Sequence, residues 1–137
     1  MAPKGFTSID YGALPGPRVG IGMLGYGFMG KVHSNALLKI PYSFDDPAAH
    51  PDLVAMCGRD EAKVADVAAR LRYRGYYTDW KPMLKDPDIH ILDICTPDDQ
   101  HRAPSITAAD AGLHVICEKP LAMTVSDAAA MLEAVTK

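Results

Sequence analysis

Glycines are the residues near the start of the chain whose type and spacing point most clearly to chemistry. The segment VGIGMLGYGFMG, residues 19–30, contains the pattern GxGxxG twice, in overlapping frames that begin at Gly20 and at Gly25. Where a buried strand passes through such a loop directly into a helix, the backbone can approach a pyrophosphate, and the free N–H groups and dipole of the helix N-terminus favour its negative charge. The pattern therefore indicates a dinucleotide site. A glycine-rich turn that holds no ligand is the alternative.

The flanking sequence favours the frame that begins at Gly25. The first frame would follow LPGPRV, whose two prolines cannot donate hydrogen bonds to a sheet. The second frame follows the apolar run 18–24 and precedes a helical stripe over residues 28–40, which Pro41 is expected to end. The two earlier glycines then belong to the strand, where they are expected to let a helix pack close.

The elements that must position this loop alternate between strands and helices about five times along the chain. After a polar loop over residues 39–52, we expect strands at 53–57, 76–77, 89–95 and 114–117. We expect one helix after a cap at Asp60 and two more at 80–85 and 104–111. A last helix should run from the capping box of Thr124 and Asp127 through Val135. Strands that are apolar at every position are typical of a parallel sheet covered on both faces. The expected fold class is therefore α/β, a doubly wound parallel sheet, whose ligands bind beyond the carboxyl ends of the strands.

Composition excludes several other classes of protein. At 137 residues the chain is one domain, with residues 1–17 expected as a flexible leader and residues 18–137 as the folded part. The net charge of −3 and the lack of a long basic cluster argue against nucleic acid as a partner. No apolar run has the length of a signal-peptide core or a membrane helix, so we expect a cytoplasmic protein with no membrane partner.

The three cysteines, Cys57, Cys95 and Cys117, lack the CxxC spacing of a zinc site. Their odd number also argues against a disulfide framework. Each closes a predicted strand, so we interpret them as small buried hydrophobic residues and expect no metal.

Two further stretches, ICTPDDQH at 94–101 and CEKPLAMT at 117–124, follow predicted strands as the glycine loop does. Together with GYGFMGKVH at 25–33, they resemble the N-terminal NAD(P)-binding Rossmann domain of the Gfo/Idh/MocA family, named for glucose-fructose oxidoreductase, inositol dehydrogenase and rhizopine catabolism proteins. The resemblance covers nearly all of residues 18–137. It implies an NAD(P)-dependent oxidoreductase, a dehydrogenase that transfers a hydride between nicotinamide and a sugar, polyol or similar secondary alcohol.

The motifs and this resemblance together predict the cofactor-binding residues Gly25, Tyr26, Gly27, Phe28, Met29, Gly30, Gly58, Arg59, Thr96, Pro97, His101, Glu118 and Lys119. The resemblance implies that the glycine loop cradles the pyrophosphate and that Thr96 and Pro97 pass under the nicotinamide ribose, with His101 following them. It places Glu118 near that ribose. It also implies that Lys119 is catalytic, because an ammonium group beside the substrate's reacting oxygen can orient that oxygen and share the movement of its proton.

Some of these residues also have simpler interpretations. By itself, EKP is typical of a proline-fixed turn with an exposed charged pair. A lysine that acts as a base also needs burial or a neighbouring cation to lower its pKa from about 10.4. His33, in the first helix, is interpreted as a helix-packing histidine with its hydrogen bonds satisfied.

The end of the second strand bears on the choice between NAD and NADP. NAD-preferring domains carry an acidic residue there, which accepts hydrogen bonds from the ribose 2′-OH, whereas a nearby arginine accommodates a 2′-phosphate. Gly58 takes the acidic position here and Arg59 follows, so NADP is favoured. A register shifted by two residues would restore an acid as Asp60. The alternative is a solvated Arg59 beside an Asp60 that only caps a helix.

The sequence departs from the family in one respect. Enzymes of the family continue with at least one more strand and with a C-terminal α/β domain, which supplies the substrate pocket and most oligomer contacts. We therefore expect a chain that binds cofactor weakly, turns over no substrate alone and exposes apolar surface that favours a homo-oligomer. A non-catalytic dinucleotide-binding or regulatory module is the alternative function.

Overall fold

The computed structural model describes residues 16–137. Of the predicted leader, residues 1–17, only the last two fall within this range, and the prediction otherwise lies outside the described residues.

Five parallel strands form one sheet, in the order β3-β2-β1-β4-β5. The strands are β1 (Arg18–Leu24), β2 (His50–Cys57), β3 (Gly75–Tyr77), β4 (Ile91–Ile94) and β5 (His114–Cys117). The helices are α1 (Phe28–Ser43), α2 (Glu61–Arg70), α3 (Trp80–Met83), α4 (Arg102–Asp110) and α5 (Val125–Val135), with a short 3₁₀ turn at Asp98–Gln100. Because the chain order reverses between β1 and β4, this is the expected doubly wound sheet, with a ligand crevice at its switch point.

Apolar side chains on both faces of the sheet explain why these strands are buried. One cluster contains Leu92 and Ile94 of β4 with Met83 of α3, and the other contains Met23 of β1 with Val64 of α2. The predicted helix caps are also present: the Lys63 N–H donates to the Asp60 carboxylate at 3.1 Å, and Asp127 N–H donates to the Thr124 hydroxyl at 3.1 Å. In the described residues, no helix is both long enough and apolar enough to span a bilayer.

The prediction that Pro41 ends the first helix was wrong, because α1 continues to Ser43. A proline removes one N–H and crowds the preceding turn. Here Pro41 lies in the last turn, so little of the helix depends on that hydrogen bond, and the Phe44 N–H still reaches the Ile40 carbonyl at 3.2 Å.

Other boundaries also differ from the sequence-based expectation. Strand β2 starts at His50 rather than at residue 53, and the His50 N–H donates to the Pro17 carbonyl at 2.9 Å. Strand β4 is shorter than residues 89–95, and α4 starts at Arg102 because the 3₁₀ turn leads into it.

The strand glycines allow close packing, though a loop rather than a helix approaches Gly20. A Cβ at Gly20 would overlap the carbonyl of Asp88, in the loop before β4. At Gly22 a Cβ would lie 3.1 Å from the Ile89 side chain and 3.5 Å from the sulfur of Met83 in α3. The expectation of a helix packed on these glycines therefore holds only for Gly22.

Candidate functional site

A cavity of about 590 Å³ lies beyond the carboxyl ends of β1, β2 and β4. Seven of the predicted cofactor-binding residues line it: Gly25, Tyr26, Gly27, Gly58, Arg59, Thr96 and Pro97. They come from three separate segments of the chain, which the parallel sheet brings to one edge. The remaining predicted residues do not line this cavity: Phe28, Met29, Gly30, His101, Glu118 and Lys119.

The three glycines of the loop have different steric surroundings. Gly25 has a φ of +110°, and a Cβ there would lie 2.8 Å from the Cys95 carbonyl oxygen. A Cβ at Gly30 would overlap the Gly25 carbonyl. At Gly27, by contrast, a Cβ would have no atom within 4 Å. The first and third glycines therefore let the loop close on itself, and the second leaves open space on the cavity side.

Helix α1 begins directly after this open space. Gly27 is its N-cap, so no side chain satisfies the first N–H groups of the helix, and its first turn carries no acidic residue. Such N–H groups normally bond to a cap, to water or to a ligand. The strand before and the helix after it make the frame beginning at Gly25 the strand-to-helix loop, with N–H groups available from Phe28 and Met29.

The end of β2 presents a glycine and an arginine to the cavity. Gly58 follows the strand directly, and its N–H donates to the Tyr77 carbonyl at 3.1 Å. Arg59 is exposed and lines the cavity, whereas Asp60 does not line it and instead caps α2 and pairs with Lys63 at 3.0 Å. The structure thus gives Asp60 a structural role.

His101 lies beneath the site rather than on its surface. Its side chain is 1% exposed, its Nε2 is 2.8 Å from the Thr96 carbonyl, and its Nδ1 is 3.1 Å from the Pro120 carbonyl. The ring therefore connects the turn after β4 with the turn after β5. His101 thus supports the two turns through its ring nitrogens, and its role in cofactor binding stays a prediction.

Glu118 belongs to a hydrogen-bonded chain of side chains. His33 of α1 lies between two carboxylates, with Nδ1 3.0 Å from Asp93 Oδ2 and Nε2 3.0 Å from Glu118 Oε1. The other Glu118 oxygen accepts the Lys119 backbone N–H at 3.2 Å. His33 is thus a satisfied histidine, as expected, but its partners connect the first helix to the EKP turn.

The environment of this group changes its proton affinities. Burial lowers the pKa of His33. Asp93 and Glu118 raise it through their hydrogen bonds and negative charges, which outweigh burial, so the pKa is raised. Burial is also the main reason that the pKa of Asp93, which is 2% exposed, is raised. Both side chains therefore hold protons more strongly in the folded protein.

Three donor atoms of His33, Asp93 and Cys95 lie within 4.8 Å of one another, a spacing that a metal ion could use. Hydrogen bonds within the group account for this closeness, since the Cys95 sulfur lies 3.4 Å from His33 Nδ1 and 3.5 Å from Asp93 Oδ1. Burial and the Asp93 charge raise the pKa of the Cys95 thiol, whereas metal ligation requires the thiolate. Cys57 is buried, as interpreted from the sequence, and burial raises the pKa of its thiol to about 12, whereas Cys95 and Cys117 are only half-buried.

Comparison with known proteins decides the family. The model of GFO_IDH_MocA, described as an oxidoreductase family with an NAD-binding Rossmann fold, matches residues 19–137. The chain belongs to the Gfo/Idh/MocA family. It is 40% identical over 118 residues to levoglucosan dehydrogenase of Pseudarthrobacter phenanthrenivorans, an alignment that covers 86% of this chain and 30% of that enzyme.

Solved structures of this family also share the fold. An oxidoreductase domain protein from Kribbella flavida has a TM-score of 0.84 and 45% identity, and a levoglucosan dehydrogenase complex with NADH and levoglucosan has a TM-score of 0.85 and 39% identity. Each match covers 88% of this chain and 32% of the other. The chain thus spans about a third of the length of these Gfo/Idh/MocA relatives and corresponds to their NAD-binding Rossmann domain.

The residues present fit a dinucleotide of the kind that Gfo/Idh/MocA domains bind. Gly27 opens a cradle that any larger side chain would fill. The Thr96 hydroxyl oxygen, at the cavity edge, is buried and has no hydrogen-bond partner among the described residues. The space at Gly27 leaves room for ligand atoms, and the Thr96 hydroxyl is a polar group still without a partner in residues 16–137.

Sequence reasoning missed two acidic residues near the site. Asp93 is a lone carboxylate inside the apolar strand ILDI, and that unusual position was a signal that it has a buried partner. Asp79 lines the cavity just after β3, where the rule that ligands bind at the carboxyl ends of strands would have found it.

Proposed function

We propose that this chain is the dinucleotide-binding part of an NAD(P)-dependent oxidoreductase that transfers a hydride between nicotinamide and a sugar, polyol or similar secondary alcohol. The observation that carries the proposal is the open space at Gly27, between the end of β1 and the uncapped start of α1. This space, with N–H groups and a helix dipole directed toward it, suits a pyrophosphate.

The chain's own residues would divide the work. The glycine loop and the first N–H groups of α1 would hold the pyrophosphate, and Thr96 and Pro97 would contact the ribose of the nicotinamide. The nicotinamide, when bound, accepts or donates the hydride. Lys119, exposed in the turn after β5, orients the reacting oxygen of the substrate and shares its proton. His33 holds the carboxylate of Glu118 next to that lysine.

The relatives support this substrate class. Besides levoglucosan dehydrogenase, they include a D-apiose dehydrogenase of Paraburkholderia graminis and a myo-inositol 2-dehydrogenase of Thermotoga maritima, at 32% and 29% identity. Each of these names contains a polyhydroxylated compound that carries a secondary alcohol. We propose that the substrate's remaining partners lie outside residues 16–137, since the alignments span about a third of each relative.

We further propose that NADP binds more tightly than NAD. Gly58 supplies no carboxylate for a ribose 2′-OH, and Arg59 lines the cavity beside it, where a guanidinium can pair with a 2′-phosphate. Titration of NADPH and NADH against the parent chain and Arg59→Ala measures this preference. Tighter binding of NADH to the parent would contradict it.

The variant Gly27→Val tests the binding proposal. Gly27 has a φ of −69°, which valine accepts, so the new side chain enters the cavity without backbone strain. We expect dinucleotide binding, followed by the fluorescence of NADPH or NADH, to fall at least about a hundredfold, because displaced pyrophosphate contacts are charge-assisted. Gly75→Val is the matched control, since Gly75 lies in β3 with open space at its Cβ and away from the cavity. Unchanged affinity in Gly27→Val would overturn the proposed site.

A further inference from the structure

The aromatic ring of Tyr26 lies over Gly58 at the end of β2. A Cβ built on Gly58 would overlap two ring carbons of Tyr26, Cδ1 and Cε1. The φ of Gly58 is outside the left-handed region, so its backbone accepts other residues. The obstacle to a side chain at position 58 is therefore the ring of Tyr26.

The ring packs against an apolar cluster. Tyr26 is half-buried and packs against the cluster that contains Met56 of β2 and Val64 of α2. The residue also belongs to the glycine loop, between Gly25 and Gly27, the N-cap of α1. A side chain at position 58 would have to move the ring out of this packing, and the adjoining open space is the cavity itself.

Position 58 matters because of its place in the fold. It directly follows β2, where a carboxylate in NAD-preferring Rossmann domains accepts hydrogen bonds from the ribose 2′-OH. Tyr26, Gly58 and Arg59 line the same cavity. The ring of Tyr26 thus occupies the volume that the first atoms of such an acidic side chain would need.

We propose that Tyr26 is a specificity-determining residue of the dinucleotide site: its ring excludes an acidic side chain from position 58 and so closes the usual route to selecting NAD over NADP. The inference rests on the proposed function. It implies that positions 26 and 58 are energetically coupled and that an acid at 58 selects the cofactor only after the ring is removed.

A double-mutant cycle tests this coupling in the full chain. Gly58→Asp, Tyr26→Ala and the double variant are titrated with NADH and NADPH by fluorescence, and the ratio of the NADPH dissociation constant to the NADH dissociation constant is compared. Gly75→Asp, in both backgrounds, is the control that adds the same charge at an open glycine outside the cavity.

In the parent background, we expect Gly58→Asp to weaken both dinucleotides and to change the ratio less than about threefold, because the displaced ring enters the cavity. In the Tyr26→Ala background, the same substitution should raise the ratio about tenfold or more, since the carboxylate then accepts from the 2′-OH and repels the 2′-phosphate. An equal rise in the two backgrounds, or no rise in the Tyr26→Ala background, would overturn the proposal.

Gly58→Ala keeps the test decisive if the aspartate variant does not fold, because it adds only the overlapping Cβ. It should weaken both dinucleotides in the parent background and be neutral beside Tyr26→Ala, with circular dichroism confirming the fold. Equal effects in both backgrounds would overturn the inference. A parent chain that binds neither dinucleotide would overturn the proposed function as well, whereas a binding parent with uncoupled positions would overturn this inference alone.

Discussion

Around Gly27, at the end of β1, the candidate site consists of backbone and open space, whereas beside the ends of β4 and β5 side chains are hydrogen-bonded to one another. The first region depends on missing side chains at Gly25, Gly27 and Gly30. The second depends on His33, held between two carboxylates. One edge of a sheet thus offers two kinds of surface: a cradle for a pyrophosphate, and a network that fixes the EKP turn.

The difference indicates where the two regions tolerate change. A cradle made of backbone fails when any atom is added at a contact point, but the added atom costs stability only where it meets protein. A network of side chains fails when a partner is removed, and its energy depends on protonation. Three experiments separate these behaviours.

The largest expected effect is at Gly30. Gly30→Ala places a Cβ against the Gly25 carbonyl, so we expect the free energy of unfolding to fall by about 2 to 3 kcal/mol, as for other overpacked sites. Urea unfolding followed by circular dichroism measures the loss. Gly27→Ala is the control, because its Cβ meets no protein atom and should cost less than about 1 kcal/mol. Equal losses would mean that the loop is not closed by the contact between Gly30 and Gly25.

A smaller effect is expected at Asp60, where the structure shows a helix cap and the shifted register would require a ribose ligand. Asp60→Ala should lower the free energy of unfolding by less than Gly30→Ala does, because it removes one helix cap, and leave NADH affinity unchanged. Thr124→Ala removes the corresponding cap of α5, away from the cavity, and should behave alike. If only Asp60→Ala lowers NADH affinity tenfold, the shifted register, in which Asp60 binds the ribose, would be favoured instead.

The smallest effect is the pH dependence that His33 contributes to stability. Because its folded pKa is raised above 6.5, its contribution is fully present below pH 6.5 and is lost as the pH rises through the folded value. Asp93, with a pKa raised mainly by burial, acts in the same direction at lower pH. We expect the free energy of unfolding to decline by up to about 1 kcal/mol between pH 6 and 8, the scale of a partly exposed ion pair.

The variant His33→Gln should flatten this decline. His114→Gln, at an exposed position on β5, is the control and should leave the slope as in the parent. Urea unfolding at several pH values between 6 and 8 gives the slopes. A parent whose stability rises with pH over this interval would contradict the proposed protonation of the network.

Much of the site's glycine-loop region could be predicted from the sequence, because its signals are local. The prolines before the first GxGxxG frame and the helical stripe after the second were enough to choose the loop that the structure shows. The cap at Asp60 is also local, since a carboxylate and an N–H three residues later meet through the geometry of one helical turn. The prediction that Pro41 ends α1 was wrong because the last turn of a helix tolerates a proline that an interior turn does not.

The contacts between distant segments depended on the tertiary structure. His33 and Glu118 are 85 residues apart, and only the tertiary packing of α1 on the sheet brings their side chains to 3.0 Å. The burial of His101 under two turns and the ring of Tyr26 over Gly58 arise in the same way, from strands that end at one edge. The sequence by itself determined the fold class, the loop frame and the family motifs, because periodicity and spacing encode local geometry. The tertiary structure decided which side chains line the cavity and which form hydrogen bonds with each other, because the parallel sheet brings distant segments side by side.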